Sequence, residues 1–286
     1  MNERMQEYLA AVEAYLAAQF TEELPQKSNL EAMRYSLLAG GKRIRPVLVL
    51  EFCRLFGGDW QKALPFAGAI EMVHTYSLIH DDLPCMDNDD YRRGRLTNHK
   101  VYGEAGAVLA GDGLLTAAFE TVCSAELDAK TVVNAVRTLS ECAGPYGMVG
   151  GQVLDLEAED RVLPEDGIYT IQRLKTGALL KAACLMGAYA AHASEEQLGS
   201  AEQYAQALGL AFQTRDDMLD VLGDEEKMGK GLHSDEHKNT FVRLYGLERC
   251  RSIVQEQTRR AVEAVSCYPG SEFLTELAQS LEKRDH

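Results

Sequence analysis

The chain has 286 residues and a formal charge of −15, from 44 acidic and 29 basic side chains. That balance excludes a general nucleic-acid surface, whose phosphate contacts need positive charge, but leaves room for an anionic small molecule held by a few local cations. Seven scattered cysteines (Cys53, Cys85, Cys123, Cys142, Cys184, Cys250 and Cys267) form no Cys-x-x-Cys pair, the pattern of reduced thiols in a cytoplasmic protein.

Met5, Leu9, Val12, Leu16 and Phe20 recur at helical spacing and predict a helix over 3–20. Glu3, Glu7 and Glu13 in the same stretch argue against a secretory leader. No run is expected to reach the roughly 20 apolar residues of a membrane-spanning helix, so stable membrane insertion is not expected. A second helix is predicted over 29–38, stopped by Gly40-Gly41, and a third from Pro46 to about residue 56, closed by Gly57-Gly58. The apolar stretch 61–80 runs directly into Asp81, and Pro84 prevents the same helix from continuing. Further helical patterns cover 106–126, 129–153, 165–192, 195–222 and 246–265, with breaks at Gly144-Pro145 and over 162–164. No strand pattern of useful length occurs. The expectation is one all-α domain over 1–286.

Two acidic clusters stand out against this background: Asp81-Asp82-Leu83-Pro84-Cys85-Met86-Asp87 and Asp216-Asp217-Met218-Leu219-Asp220. Asp216 and Asp220 share a helix face, with Asp217 turned about 100° away. Apolar neighbours such as Phe212 and Met218 surround them, and buried carboxylates are costly without a cation. A solvated charge run is the competing reading of either cluster alone. In the first, Pro84 supplies a break that brings Asp87 back toward Asp81. Mg²⁺ suits such carboxylates together with substrate phosphates. Lys42, Arg43 and Arg45 beside Gly40-Gly41, and Arg92, Arg93 and Arg95 after the first cluster, offer places for diphosphate oxygens. Pairing of Arg92 and Arg93 with Asp87, Asp89 and Asp90 would explain part of that pattern, and explains Lys42 and Arg45 less well.

The ordered series resembles the trans-isoprenyl diphosphate synthase family, and bacterial farnesyl diphosphate synthases within it. The resemblance runs from Gly40-Gly41-Lys42-Arg43-Ile44-Arg45-Pro46 through His80-Asp81-Asp82, Arg92-Arg93-Gly94 and Gly151-Gln152-Val153-Leu154-Asp155. It continues through Lys175-Thr176-Gly177-Ala178 and Phe212-Gln213-Thr214-Arg215-Asp216-Asp217. It implies an all-helical isoprenoid synthase fold around a deep central cavity, working as a homodimer. It implies Asp81, Asp87 and Asp216 as the main Mg²⁺ ligands, with Asp82, Asp217 and Asp220 in support, and about three ions per site, with Mn²⁺ as a substitute. Arg92, Lys175 and Lys230 would bind the allylic diphosphate, with Thr176, Gln213 and Phe212 at the reacting end. Lys42, Arg45, His74 and Arg93 would hold isopentenyl diphosphate. Taken alone, His74 reads as a half-buried histidine near Glu71, Phe212 as a core residue, and Lys230 and Lys238 as surface lysines. The loop carrying the two lysines looks shortened, which bears most on Lys238. Gln152 and Asp155 could orient helices or waters.

The implied reaction is Mg²⁺-dependent condensation of isopentenyl diphosphate with dimethylallyl and then geranyl diphosphate. Tyr76 lies five residues before Asp81, about 7.5 Å along the helix axis, beside Ser77. An aromatic there, in the resembling enzymes, goes with a C15 product. The stretch over 96–103 also looks like geranylgeranyl diphosphate synthases, so a C20 product is the alternative. A terpene cyclase and an inactive helical partner of another synthase are the other classes. Arg93 and the Gly40–Pro46 stretch argue against the former, and the presence of both acidic clusters with their basic partners argues against the latter.

Overall fold

The innermost helical runs, over 46–53, 66–73 and 178–190, are almost wholly apolar or small, so burial places them, whereas outer ones such as 129–143 and 272–282 keep an apolar face against a polar one. A computed structural model describes residues 3–159, 161–222 and 240–282. In chain order the helices are α1 (Glu3–Ala17), α2 (Lys27–Leu37), α3 (Ile44–Leu55), α4 (Leu64–Asp81), α5 (Asn98–Cys123) and α6 (Ala129–Ala143). They continue with α7 (Met148–Glu157), α8 (Glu165–Gln172), α9 (Ala178–Ala190), α10 (Glu195–Leu222), α11 (Phe241–Val265) and α12 (Glu272–Glu282). A 3₁₀ turn, Trp60–Ala63, leads into α4, and a π-helical segment, Arg173–Gly177, joins α8 to α9.

The centre of the bundle is α3, α4 and α9. Val47 to Cys53 of α3 are all buried, as are Phe66 to Val73 of α4 and Ala182 to Ala188 of α9 except for Leu185's slight exposure. Around this core α4 packs on α5, α6 on α9, and α10 lies along α11. The result is the expected all-α bundle. Pattern reading placed most helices, with differences that have local causes. The predicted 165–192 helix is interrupted by the π segment, and 129–153 splits at Gly144 into α6 and α7. α5 and α11 start earlier than their patterns suggested, because a short helical turn, over 98–102 or 241–245, precedes a break at Gly103 or Gly246 before the main helix. α12 was not foreseen. It buries Phe273, Leu274, Leu277, Ala278 and Leu281, and Leu274 accepts a 2.9 Å hydrogen bond from the Tyr204 hydroxyl.

One short hairpin accompanies the helices without altering the all-α class, and one expectation is corrected. A two-residue antiparallel hairpin does form, pairing β1 (Tyr91–Arg92) with β2 (Arg95–Leu96). Its turn is Arg93-Gly94, with φ of 53° and 72°, the left-handed pair that a tight two-residue hairpin requires. And α5 does meet the length and composition of a membrane span: its apolar window has mean hydropathy 1.3, with 39% of it buried. Leucine, valine and alanine raise that average, and the helix packs on α2 and α4, leaving Val108 and Leu109 exposed on its far side.

Candidate active site

The first acidic cluster forms where α4 ends. Pro84 stops the helix, and the chain curls back so that the Asp87 amide donates to the Asp81 carbonyl at 2.9 Å. Burial raises the Asp81 carboxyl to about 6; Asp87 and Asp82 add to the shift, against the attraction of Lys175 and Arg92. A carboxyl held this way is short of positive charge. Asp82 is buried and takes Arg92 in a close pair, with its Oδ1 2.6 Å from Nε and 2.5 Å from an Nη. Arg92 also reaches Asp89 at 3.4 Å. The hairpin therefore serves to return Arg92 onto the cluster. The alternative of simple pairing holds for Asp89, while the principal partner is Asp82.

The second cluster lies on α10 and is tied to the π segment. The Thr176 hydroxyl donates to Gln213 Oε1 at 3.0 Å, and Gln213 Nε2 donates to Asp217 Oδ1 at 3.0 Å. Asp217 Oδ2 accepts the backbone N–H of Phe241 at 2.8 Å, at the start of α11. Asp216 and Asp220 are half-buried on the same helix, and Asp216 is close enough for its charge to act on Arg45. Phe212 packs, half-buried, against the main core.

The π segment owes its position to α7. An added Cβ on Gly151 would lie 2.3 Å from the Lys175 backbone nitrogen and 2.8 Å from the Leu174 carbonyl carbon, so only glycine allows this approach. One turn further along α7, Asp155 holds Lys175 Nζ at 2.6 Å. A π bulge of this kind widens a helix locally and commonly marks a functional site. Gly151→Ala should therefore displace the segment: we expect the KM for a diphosphate substrate to rise about tenfold, with about 1–3 kcal/mol of overpacking destabilisation. Steady-state kinetics and thermal unfolding check this; unchanged KM would detach Gly151 from the site.

The basic side of the site is organised by Arg43, which the sequence placed among three equivalent cations. Arg43 instead turns inward at φ 49°, only 2% exposed, and joins Glu13 at 2.7 Å, Glu71 at 2.6 Å and the Leu37 carbonyl at 2.8 Å. Lys42, exposed, and Arg45 flank it. Arg45 Nε is buried with no hydrogen-bond partner. Burial lowers the Arg45 guanidinium below its usual range, and Arg93 lowers it further, against Glu71 and Asp216. Partial burial also lowers Arg93, whose guanidinium donates to the Gly40 carbonyl. His74 is held well below the usual histidine range, by burial first and then by Arg45, Arg93, Arg92 and Arg43, so its imidazole is neutral. Desolvated cations with an orphaned donor form a cradle for an anion.

Tyr76 is 6% exposed and meets His80 edge-to-face at 5.7 Å. Burial and the Asp81 charge push its hydroxyl up to about 12. His80 in turn bonds the Val108 carbonyl of α5 at 3.1 Å, so the tyrosine ring is buttressed from α5. The Ser77 hydroxyl is used within the helix, donating to the His74 carbonyl at 2.9 Å. Lys230 and Lys238 lie outside the described residues.

Among the described residues, no three ligating side chains are gathered closely enough to hold a metal by themselves. The donors nevertheless fit a hard divalent ion bound through one or two carboxylates and completed by phosphate oxygens and water. Asp81, with its raised carboxyl, is the group whose charge such an ion would stabilise most directly.

Sequence comparison reaches the same place. The profile of the family described as polyprenyl synthetase matches residues 26–268. A farnesyl diphosphate synthase of Bacillus subtilis (strain 168) is 43% identical over 276 residues, covering 93% of each chain. A putative chloroplastic geranylgeranyl pyrophosphate synthase of Arabidopsis thaliana is 50% identical over 242 residues, covering 82% of this chain and 67% of the relative. A Helicobacter pylori geranyltransferase, solved in complex with magnesium and isoprenyl diphosphate, superposes with a TM-score of 0.87 at 34% identity, over 99% of this chain and 97% of the other. With its two acidic clusters, its cationic cradle and this breadth of similarity, the chain belongs to the polyprenyl synthetase family of trans-prenyltransferases.

Proposed function

We propose that this trans-prenyltransferase is a farnesyl diphosphate synthase, joining isopentenyl diphosphate to dimethylallyl and then to geranyl diphosphate. The observation that carries the reading is the pairing of a desolvated cationic cradle (Arg45, Arg93, neutral His74) with a charge-starved carboxyl at Asp81 across one site. An acceptor diphosphate suits the cradle, whose donors are fixed before it arrives. Arg92 and Lys175 hold the allylic diphosphate once it competes with Asp82 and Asp155 for them, and Lys230 completes this set. Mg²⁺, held by Asp81, Asp87 and Asp216 and numbering about three, would supply the positive charge that stabilises the departing diphosphate; Mn²⁺ would be a substitute. The side chains orient the two substrates, so that attack of the acceptor double bond replaces a bimolecular search. The proton lost afterwards goes to the departing diphosphate, and neutral His74 is left to donate a hydrogen bond rather than to act as a base.

The buttressed Tyr76 ring supports the C15 product, since a chain growing down α4 meets it about 7.5 Å from Asp81. The 50% identity to a geranylgeranyl pyrophosphate synthase favours a C20 product as the second reading. A product assay with Mg²⁺ and both C5 substrates tests the proposal: mainly farnesyl diphosphate is expected, and mainly C20 diphosphate would overturn the C15 assignment. Tyr76→Ala should shift the distribution to C20 and longer by several-fold, read by chromatography of the dephosphorylated products. A cytoplasmic homodimer completes the proposal, and the exposed Val101, Val108 and Leu109 of α5 support the dimer.

A further inference from the structure

Asp217 carries the spacing of a metal ligand, but its surroundings give it other work. It is 3% exposed, and its two oxygens point to two different elements: Oδ1 to the Gln213 amide and Oδ2 to the Phe241 N–H. The second contact sits on the first turn of α11, where unpaired N–H groups and the helix dipole favour an anion. The first contact decides how Gln213 is turned. An ionised carboxylate only accepts, so Gln213 must present its Nε2 to Asp217 and its Oε1 to Thr176. The Thr176 hydroxyl proton is then committed to Gln213. The series thus runs Asp217, Gln213, Thr176, from the start of α11 to the π segment that carries Lys175.

We propose that Asp217 is a positioning residue, which fixes the Gln213 amide and through it the Thr176 hydroxyl while anchoring α11, and that it is not a ligand of the catalytic metal. The inference rests on the reading of the protein as a metal-dependent diphosphate condensing enzyme, and it gives the supporting member of the second cluster a specific task. An asparagine at this position keeps an acceptor for Phe241 but places an NH₂ against the Gln213 NH₂. Gln213 must then flip, and Thr176 loses the acceptor for its proton.

The test compares Asp217→Asn with Asp216→Asn, measuring kcat, KM for the allylic diphosphate and the Mg²⁺ concentration giving half-maximal rate. For Asp217→Asn we expect kcat to fall up to about 100-fold, as for a small misplacement of a reacting group, with half-saturating Mg²⁺ within about twofold of the parent. Asp216→Asn should raise half-saturating Mg²⁺ at least about tenfold. In the combination with Thr176→Val, most of the Asp217→Asn loss in kcat should disappear, because the relay ends at Thr176. Should Asp217→Asn fold poorly, Gln213→Leu keeps the carboxylate at α11 and reads the relay alone, with the same expected loss in kcat and unchanged Mg²⁺ dependence. A tenfold rise in half-saturating Mg²⁺ for Asp217→Asn, or strict additivity with Thr176→Val, would overturn the proposal. An unchanged Mg²⁺ dependence for Asp216→Asn would instead count against the metal-dependent reading itself, leaving the Asp217 contacts to be judged by the cycle.

Discussion

Replacing Asp81 by asparagine lowers kcat/KM for condensation by about 10²–10³-fold while stabilising the metal-free protein at neutral pH. The loss has the size measured when one preorganised group facing developing charge is removed. The gain in stability comes from the same carboxyl. Burial, with Asp87 and Asp82 nearby, raises its folded-state pKa to about 6 from an ordinary 3.8. The folded state therefore holds the proton more tightly than the unfolded chain does. Stability from this group is fully present below the unfolded value and is lost as pH rises through about 6. A shift of this size corresponds to at most about 3 kcal/mol. In EDTA, unfolding temperatures of the parent and Asp81→Asn should converge near pH 4 and separate by pH 8, with the variant higher. The affinity of the parent for Mg²⁺ should fall as pH drops through about 6, because the ligand must be deprotonated. Parallel unfolding temperatures across the whole range would remove the basis for treating Asp81 as a carboxyl awaiting a cation.

The parts of the site that sequence made legible are those in which residue type and spacing carry the chemistry. Pro84 announced the chain reversal that brings the Asp87 amide to the Asp81 carbonyl. The bulk of the helices followed from helical spacing of their apolar residues, and α10 begins where its pattern does, at 195. What remained hidden depends on contacts between segments distant in sequence. Nothing local distinguishes inward Arg43 from its neighbours Lys42 and Arg45; Glu13 and Glu71, 30 and 28 residues away, make the difference. The π segment and the role of Asp155 depend on Gly151, whose missing side chain has meaning only once Lys175 is beside it. The hairpin at Arg93-Gly94 was too short to produce an alternating pattern, and arginine stands where a tight two-residue turn usually has asparagine, aspartate or glycine. α12 was legible in principle, since its five buried residues keep helical spacing after the Pro269-Gly270 break.

Arg43→Ala should be the most destabilising single change in the cradle, by about 3–5 kcal/mol, the range for breaking a buried ion pair from one side. Glu71 is the reason. Its side chain is 2% exposed and loses a 2.6 Å partner, whereas Glu13, at 44%, can turn to water. At roughly 2–4 °C per kcal/mol for a chain of this order, the unfolding temperature should fall by about 6–20 °C. The left-handed backbone at residue 43 does not oppose this, because alanine is no better suited to it than arginine. Adding Glu71→Gln to Arg43→Ala should recover part of the loss, since the stranded charge is then gone; a double variant no more stable than Arg43→Ala would mean that packing rather than charge dominates. The kinetic consequence follows from the neighbours. Lys42 and Arg45, the proposed holders of isopentenyl diphosphate, sit on either side of the clamp, so loosening it should raise the KM for that substrate by more than that for the allylic diphosphate, whose proposed partners Arg92 and Lys175 are held by Asp82 and Asp155. Equal rises in both KM values would indicate general unfolding of the site, and a fall in unfolding temperature below about 2 °C would show that Glu71 finds another partner.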